Sequence, residues 1–236
     1  MRNTVSPHVD RAQFEVLKRQ HEATGGWQKR KSEITQLQLL EATVTCIVRK
    51  GVAHVRTKDI ADEAGLSRGA IMHHFANKAQ LFEKTLVYVH SRRLAEFEKA
   101  IKALGTEENR TEEGLETYLA QLKSQYFVAA QELLMAARSD EALARSLKPQ
   151  RERFGEEWNA LSLKLFPEWA ETGEVFHLAM CIVRYMMEGM VMADWFDGSG
   201  KDNQQLIDYV RARLSAVRTA AANPESDAAV STYLHH

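Results

Sequence analysis

Apolar residues recur at three- and four-residue intervals along most of the chain, and alternating Val/Ile/Thr runs bounded by turn residues are missing. This spacing predicts an all-α fold. Ser32 offers an N-cap for a helix running to about Lys50, with Ile34, Leu37, Leu40, Val44, Ile47 and Val48 on one stripe and Gly51 at its end. Thr57 caps a short second helix that turns Ile60, Ala61 and Ala64 inward. Gly65-Leu66-Ser67 makes a tight turn, and Ser67 caps a third helix through about Phe75. Asn77 begins a longer helix carrying Leu81, Phe82, Leu86, Val89, Leu94 and Phe97.

Beyond a polar break at Gly105–Arg110, Thr111 opens a helix bearing Leu115, Tyr118, Leu119, Leu122 and Tyr126. Later helical stretches fall near Val128–Ala137, Asp140–Lys148, Pro149–Phe166, Glu171–Phe196 and Lys201–Ala222, and each of the four prolines stands where a helix could start or stop. The chain thus divides into an extension over residues 1–31, a three-helix unit over 32–78, a larger helical unit over 79–222 and a polar tail over 223–236. The extension predicts a short helix near Val9–Glu22, a break at Gly25-Gly26 and a basic cluster, Lys29-Arg30-Lys31. The tail closes on His235-His236.

Composition excludes several classes. With 44% hydrophobic and 27% charged residues, the chain is neither disordered nor fibrous. The most apolar stretch, around Leu178–Phe196, is interrupted by Arg184, Glu188 and Asp194, so it reads as a buried helix and not as a membrane span. No apolar leader opens the chain, and Cys46 and Cys181 stand too far apart for a disulfide framework or a zinc site, so a cytoplasmic setting is expected. Net charge is −1, but it is unevenly spread: 13 Lys+Arg against 8 Asp+Glu up to Lys78, then 18 against 24. A basic front suits a polyanion.

The segment Thr57–Phe75, TKDIADEAGLSRGAIMHHF, carries the most specific chemistry. Two short helices joined by a three-residue turn must cross steeply. Ala61 has to be small at the crossing, Gly65 has to open the turn, and Ile60, Ala64 and Ile71 supply a shared miniature core. This is helix-turn-helix spacing. A helix seated in a major groove offers its N-terminal residues to bases: here Ser67, Arg68, Gly69 and Ala70, with His73 about one turn on. Gly69 and Ala70 are small enough for close backbone approach, and Arg68 reaches a guanine edge or a phosphate.

From Ser32 to about Phe82 the sequence resembles the tetracycline-repressor (TetR/AcrR) family of bacterial regulators, through T-x-x-IA-x-x-AGLSRGAI-x-HHF-x-x-K and the helix that precedes it. The resemblance implies a three-helix DNA-binding domain followed by a larger helical domain that binds a small effector and dimerises. It implies that Thr57 and Lys78 contact phosphate, that Ser67, Arg68 and Gly69 begin the recognition helix, and that His73 contacts bases or backbone. Met72 departs from the family, which usually places a phosphate-binding tyrosine there. His74 either contacts phosphate or sits half-buried against the first helix.

The larger domain is rich in soft, bulky side chains. Tyr118, Tyr126, Phe154, Trp158, Met180 and Met187 line either a plain core or an adaptable effector pocket. Arg184 and Glu188, at i and i+4, either pair with each other or anchor a polar group of the ligand. Two apolar seams, Ala179, Val183, Met186, Met190 and Ala193 with Leu206, Tyr209, Val210, Leu214 and Val217, predict a four-helix homodimer interface.

Adjacent His73 and His74 point about 100° apart, which disfavours a shared metal. Asp197–Asp202 (DGSGKD) lacks the first glycine of a phosphate loop and the terminal Glu of a calcium loop, so it reads as a connector. No hydrolase, dinucleotide or zincin motif is present, and neither enzyme chemistry nor a cofactor is expected. The expected partners are duplex operator DNA, a small-molecule effector, and a second copy of the chain. The effector would bias two helix arrangements and so change the spacing of the DNA-binding heads, with the fourth helix as lever. A rival expectation keeps the fold as a regulator or protein-interaction module without an effector. The cluster Lys29–Lys31 is expected to add phosphate or minor-groove contacts.

Overall fold

The computed structural model describes residues 27–104, 110–167, 169, 174–198 and 203–221. Among these residues it is all-helical: α1 (Trp27–Lys50), α2 (Thr57–Ala64), α3 (Arg68–His74), α4 (Lys78–Ala103), α5 (Arg110–Leu122), α6 (Gln125–Ala137), α7 (Glu141–Leu165), α8 (Glu174–Asp197) and α9 (Asn203–Ala221). The described residues form two compact units, one from 27–89 with 129–148, the other from 90–128 with 149–221.

In the first unit, the stripes of α1, α2 and α3 bury Leu39, Val44, Ile47, Ile60, Ala61, Ile71 and Phe75, with Leu81, Leu86 and Val89 from the start of α4. Gly51, at φ 73°, ends α1, and its N–H bonds the Ile47 carbonyl at 2.8 Å. The second unit packs around an aromatic core of Phe97, Tyr118, Trp158, Phe166, Trp169 and Phe176. Phe97 and Trp158 stack at 4.8 Å between centroids.

Three boundaries differ from expectation. Helix α1 begins at Trp27 and runs through Ser32, so Lys29-Arg30-Lys31 occupies its first turns instead of preceding a helix. Arg56 is the N-cap residue of α2, and Thr57 is its first helical residue; Asp59 accepts the Arg56 N–H at 2.9 Å. The expected break at Pro149 is absent, since α7 continues through it. One interior proline costs about 3 kcal/mol. Leu143 and Leu147 before it and Phe154 and Trp158 after it are all buried, and that burial outweighs the loss. The expected helix at Val9–Glu22, the break at Gly25-Gly26, most of the connector after Gly198 and the tail over 223–236 lie outside the described residues.

Candidate functional site

The corner between α2 and α3 is set by backbone geometry. Gly65 sits at φ 65°, ψ 30°, a left-handed conformation that costs other residues about 1–2 kcal/mol. Its N–H bonds the Asp62 carbonyl at 3.2 Å, and the Leu66 N–H bonds the Ala61 carbonyl at 2.9 Å, which closes α2. Ser67 then caps α3, its Oγ accepting the Ala70 N–H at 3.2 Å. The corner is clamped to α1 by ion pairs of Lys50 with Asp59 at 2.9 Å and of Arg49 with Glu63 at 2.7 Å. The Lys50 ammonium, followed by the Arg56 N–H, holds the Asp59 carboxyl at about 2.

Ile71 is the buried residue of α3. Ser67, Arg68, Gly69 and His73 are exposed, Ala70 and His74 are half-buried, and Met72 is 63% exposed in line with them. The rings of His73 and His74 stack at 5.1 Å. Burial, helped by the neighbouring His73, lowers the His74 pKa. Thr57 is half-buried at the start of α2. Lys78 is also half-buried, its Nζ 5.0 Å above the Phe82 ring, and desolvation lowers its pKa. Asn77 caps α4 through Oδ1, which accepts the Gln80 N–H at 2.8 Å.

Residues 39–85 match the family model described as "Bacterial regulatory proteins, tetR family". Over these residues the chain matches the DNA-binding segment of the TetR family. Its front is 37% identical over 82 residues to the HTH-type transcriptional regulator TtgR of Pseudomonas putida, a stretch covering 33% of this chain and 39% of TtgR. The whole fold is similar to a Pseudomonas aeruginosa PAO1 protein described as a transcriptional regulator, at 23% identity and TM-score 0.61, over 79% of this chain and 91% of that one. It is also similar to FadR of Bacillus subtilis, solved in complex with stearoyl-CoA, at 17% identity and TM-score 0.56, over 74% and 94%. At these identities the structural likeness shows the fold alone.

The second unit holds a partly open cavity of about 40 Å³. Tyr118, Trp158, Met180 and Arg184 line it as expected, together with Phe97, Phe166 and Phe176. Four other expected lining residues are elsewhere. Tyr126 is held by Arg92, whose Nη2 donates to its hydroxyl at 3.3 Å. Phe154 is stacked on His90 at 4.1 Å, and Met187 is part of the packed core. Glu188 accepts the Tyr118 hydroxyl at 3.1 Å and lies 3.9 Å from Arg93 Nη2.

The expected Arg184–Glu188 pair is not formed. Arg184 Nη2 donates to the Tyr185 hydroxyl at 3.0 Å, and its Nε and Nη1 have no hydrogen-bond partner. Glu188 turns instead toward Tyr118 and Arg93, because helical spacing puts two residues within reach without choosing between partners on other helices. Arg93, only 2% exposed, belongs to no motif, although it continues the buried stripe Leu86, Val89, Phe97, Ile101 of α4. Its guanidinium lies 5.1 Å from the ring centroids of both Phe127 and Phe154, and desolvation lowers its pKa. Burial, with Glu188 nearby, raises that of Tyr118.

His90 is buried in the same region. Burial, then the charges of Arg93 and Arg151, push its pKa down to about 3, against a hydrogen bond with the Gln150 backbone. The folded chain therefore keeps His90 neutral where the unfolded chain, at 6.5, takes up a proton. The associated stability is complete above pH 6.5 and is lost as pH falls toward 3, by up to about 1.4 kcal/mol per pH unit. Urea midpoints measured from pH 7 to pH 4 should fall less steeply in His90→Phe than in the parent; equal slopes would exclude the imidazole.

The expected dimer seams also need correction. Val183 and Met190 of α8, and Val210 and Leu214 of α9, are buried within their own unit. Ala179 and Met186 are half-buried, while Ala193, Leu206 and Tyr209 are exposed; the side chain of Val217 lies outside the described set. The apolar face that α8 leaves open is Leu178 (41%), Ile182 (54%) and Tyr185, continuing through Gly189 and Ala193 to Phe196. On α9 the open residues are Leu206 and Tyr209 (56%). Phe176–Phe196 is thus buried on one side only, which corrects the expected buried helix. By length and composition it is apolar enough to cross a membrane, the one such helix among the described residues.

Proposed function

We propose that this chain is a TetR-family regulator, a cytoplasmic repressor that binds a near-palindromic operator as a homodimer and leaves it when a small effector enters the body. Residues 32–78 serve as the DNA-binding domain and the helices beyond them as the effector and dimerisation domain. The carrying observation is the open surface of α3: Ser67, Arg68, Gly69, Met72 and His73 stand in solvent while Ile71 alone anchors the helix inward. Ala70 and His74 flank this surface, and Thr57 and Lys78 supply phosphate contacts at its edges. Met72 offers thymine methyls an apolar contact where a tyrosine would bond phosphate.

The effector site of this reading is the aromatic cavity at Tyr118, Trp158, Met180 and Arg184, and a stearoyl-CoA-bound neighbour supports a body that accommodates ligands. The dimer forms through the open faces of α8 and α9. Selection of random duplexes by the full chain tests this reading: inverted repeats with half-sites about one helical turn apart should be enriched. Recovery of no shared sequence would defeat it. A second reading, a regulator without an effector, draws on the small free volume of the cavity, which lies far below the ~300 Å³ of ordinary ligand sites. It predicts that no small molecule alters operator affinity.

Gly69 gives a sharper expectation. A Cβ there would meet only Ser67 Oγ, at an ordinary 3.6 Å, so nothing within the chain requires glycine in this exposed helical turn. Gly69→Ala should raise stability by up to about 1 kcal/mol and weaken DNA binding. Thermal melts and gel shifts moving in the same direction would contradict close backbone approach to DNA.

A further inference from the structure

The cavity in the second unit combines an apolar wall with a buried cation. Phe97, Trp158, Phe166 and Phe176 contribute aromatic rings to the wall, and Arg184 is its charged member. Arg184 is 8% exposed, and two of its three guanidinium nitrogens, Nε and Nη1, bond nothing. Burying unsatisfied charged donors is costly, and natural cores avoid it unless a ligand or water completes them.

Two further guanidiniums lie close to Arg184. A Cβ on Gly155 would lie 3.8 Å from Arg184 Nη1 and 3.9 Å from Arg151 Nη1, so two guanidiniums converge on that point of α7. Arg93 adds a third, its Nε and Nη2 making no hydrogen bond although Nη2 lies within ion-pair reach of Glu188. The carboxylate among them is Glu188, already engaged by the Tyr118 hydroxyl and 3.9 Å from Arg93. Among the described residues, Arg93, Arg151 and Arg184 thus gather near Glu188.

We propose that the effector is an organic anion with an apolar, aromatic-compatible body, whose carboxylate accepts a hydrogen bond from a free guanidinium donor of Arg184 while its body lies against Trp158 and Phe97. This rests on the effector-bound reading above and narrows it to a ligand class. Nε and Nη1 lie on different edges of the planar guanidinium, and each keeps an N–H able to donate a charge-assisted bond to a carboxylate oxygen. Ser162, buried in the wall, supplies a hydroxyl to the same chamber. The limited free volume means that the aromatic side chains must yield when the ligand enters.

Calorimetric titration of the full chain, without DNA, tests the proposal with 3-phenylpropionate and 5-phenylpentanoate against the corresponding amides. At least one acid should bind ten or more times tighter than its amide. Arg184→Met should abolish that preference, and Arg184→Lys should retain most of it. Equal binding of acid and amide, binding by neither series, or an acid preference surviving in Arg184→Met would each overturn it. Duplex selection without these probes reports on DNA recognition separately. An acid-selective chain that enriches no operator would lose the repressor reading alone, and an operator binder without acid preference would lose only the anion.

Discussion

Leu178→Glu together with Ile182→Glu should turn the proposed dimer into a monomer and weaken operator binding by about 100-fold or more. The two side chains stand one helical turn apart in the N-terminal half of the open face of α8, and neither is buried in the core of its own unit. Covering an apolar stripe of this kind gains roughly 25 cal/mol per Å² removed from water. Two carboxylates on each partner would instead have to be desolvated unpaired. Tyr185 is left in place because its hydroxyl holds Arg184. Loss of affinity follows from lost avidity, since a lone head must bind one half-site without the effective concentration its partner provides. Light scattering measures the mass directly. A double variant that still sediments as a dimer would move the interface to another face.

Arg68→Ala should cost about 1–3 kcal/mol of operator binding, a loss of roughly ten- to a hundredfold, and relax discrimination at one base position. The side chain is exposed at the first position of α3 and has no structural task to lose. Lys78→Ala should act differently, weakening all duplexes to a similar extent and reducing the salt slope by about 1, as removal of a single phosphate contact does. Its ammonium rests above Phe82, so the charge is already partly desolvated and held in place before DNA arrives. Gel shifts at several salt concentrations separate the two behaviours. Undiminished affinity in both variants would remove the α3 surface from the interface.

The helix-turn-helix corner was legible because its determinants are local. Gly51 and Gly65 both adopt positive φ, Ser67 caps α3, and Ile60, Ala61 and Ile71 are buried together, all within a span that closes through short-range contacts. In such a stretch each residue type answers to its immediate neighbours, so its identity reports its geometry. The cap of α2 lies one residue before the expected Thr57, and α1 already includes the expected cap Ser32, because an exposed polar residue continues a helix almost as readily as it caps one.

The amino-acid sequence by itself determined the all-helical architecture, the corner and the outward direction of Arg68 and His73, since periodicity and turn chemistry are properties of adjacent residues. Tertiary packing alone decided which face of α8 stays open, because that helix is apolar on both sides and only its neighbours select Val183, Met187 and Met190 for burial. Packing likewise carried α7 through Pro149, separated Arg184 from Glu188 and drew Arg93 into the interior. Long side chains reach several partners from one backbone position, and the partner chosen depends on helices distant in sequence.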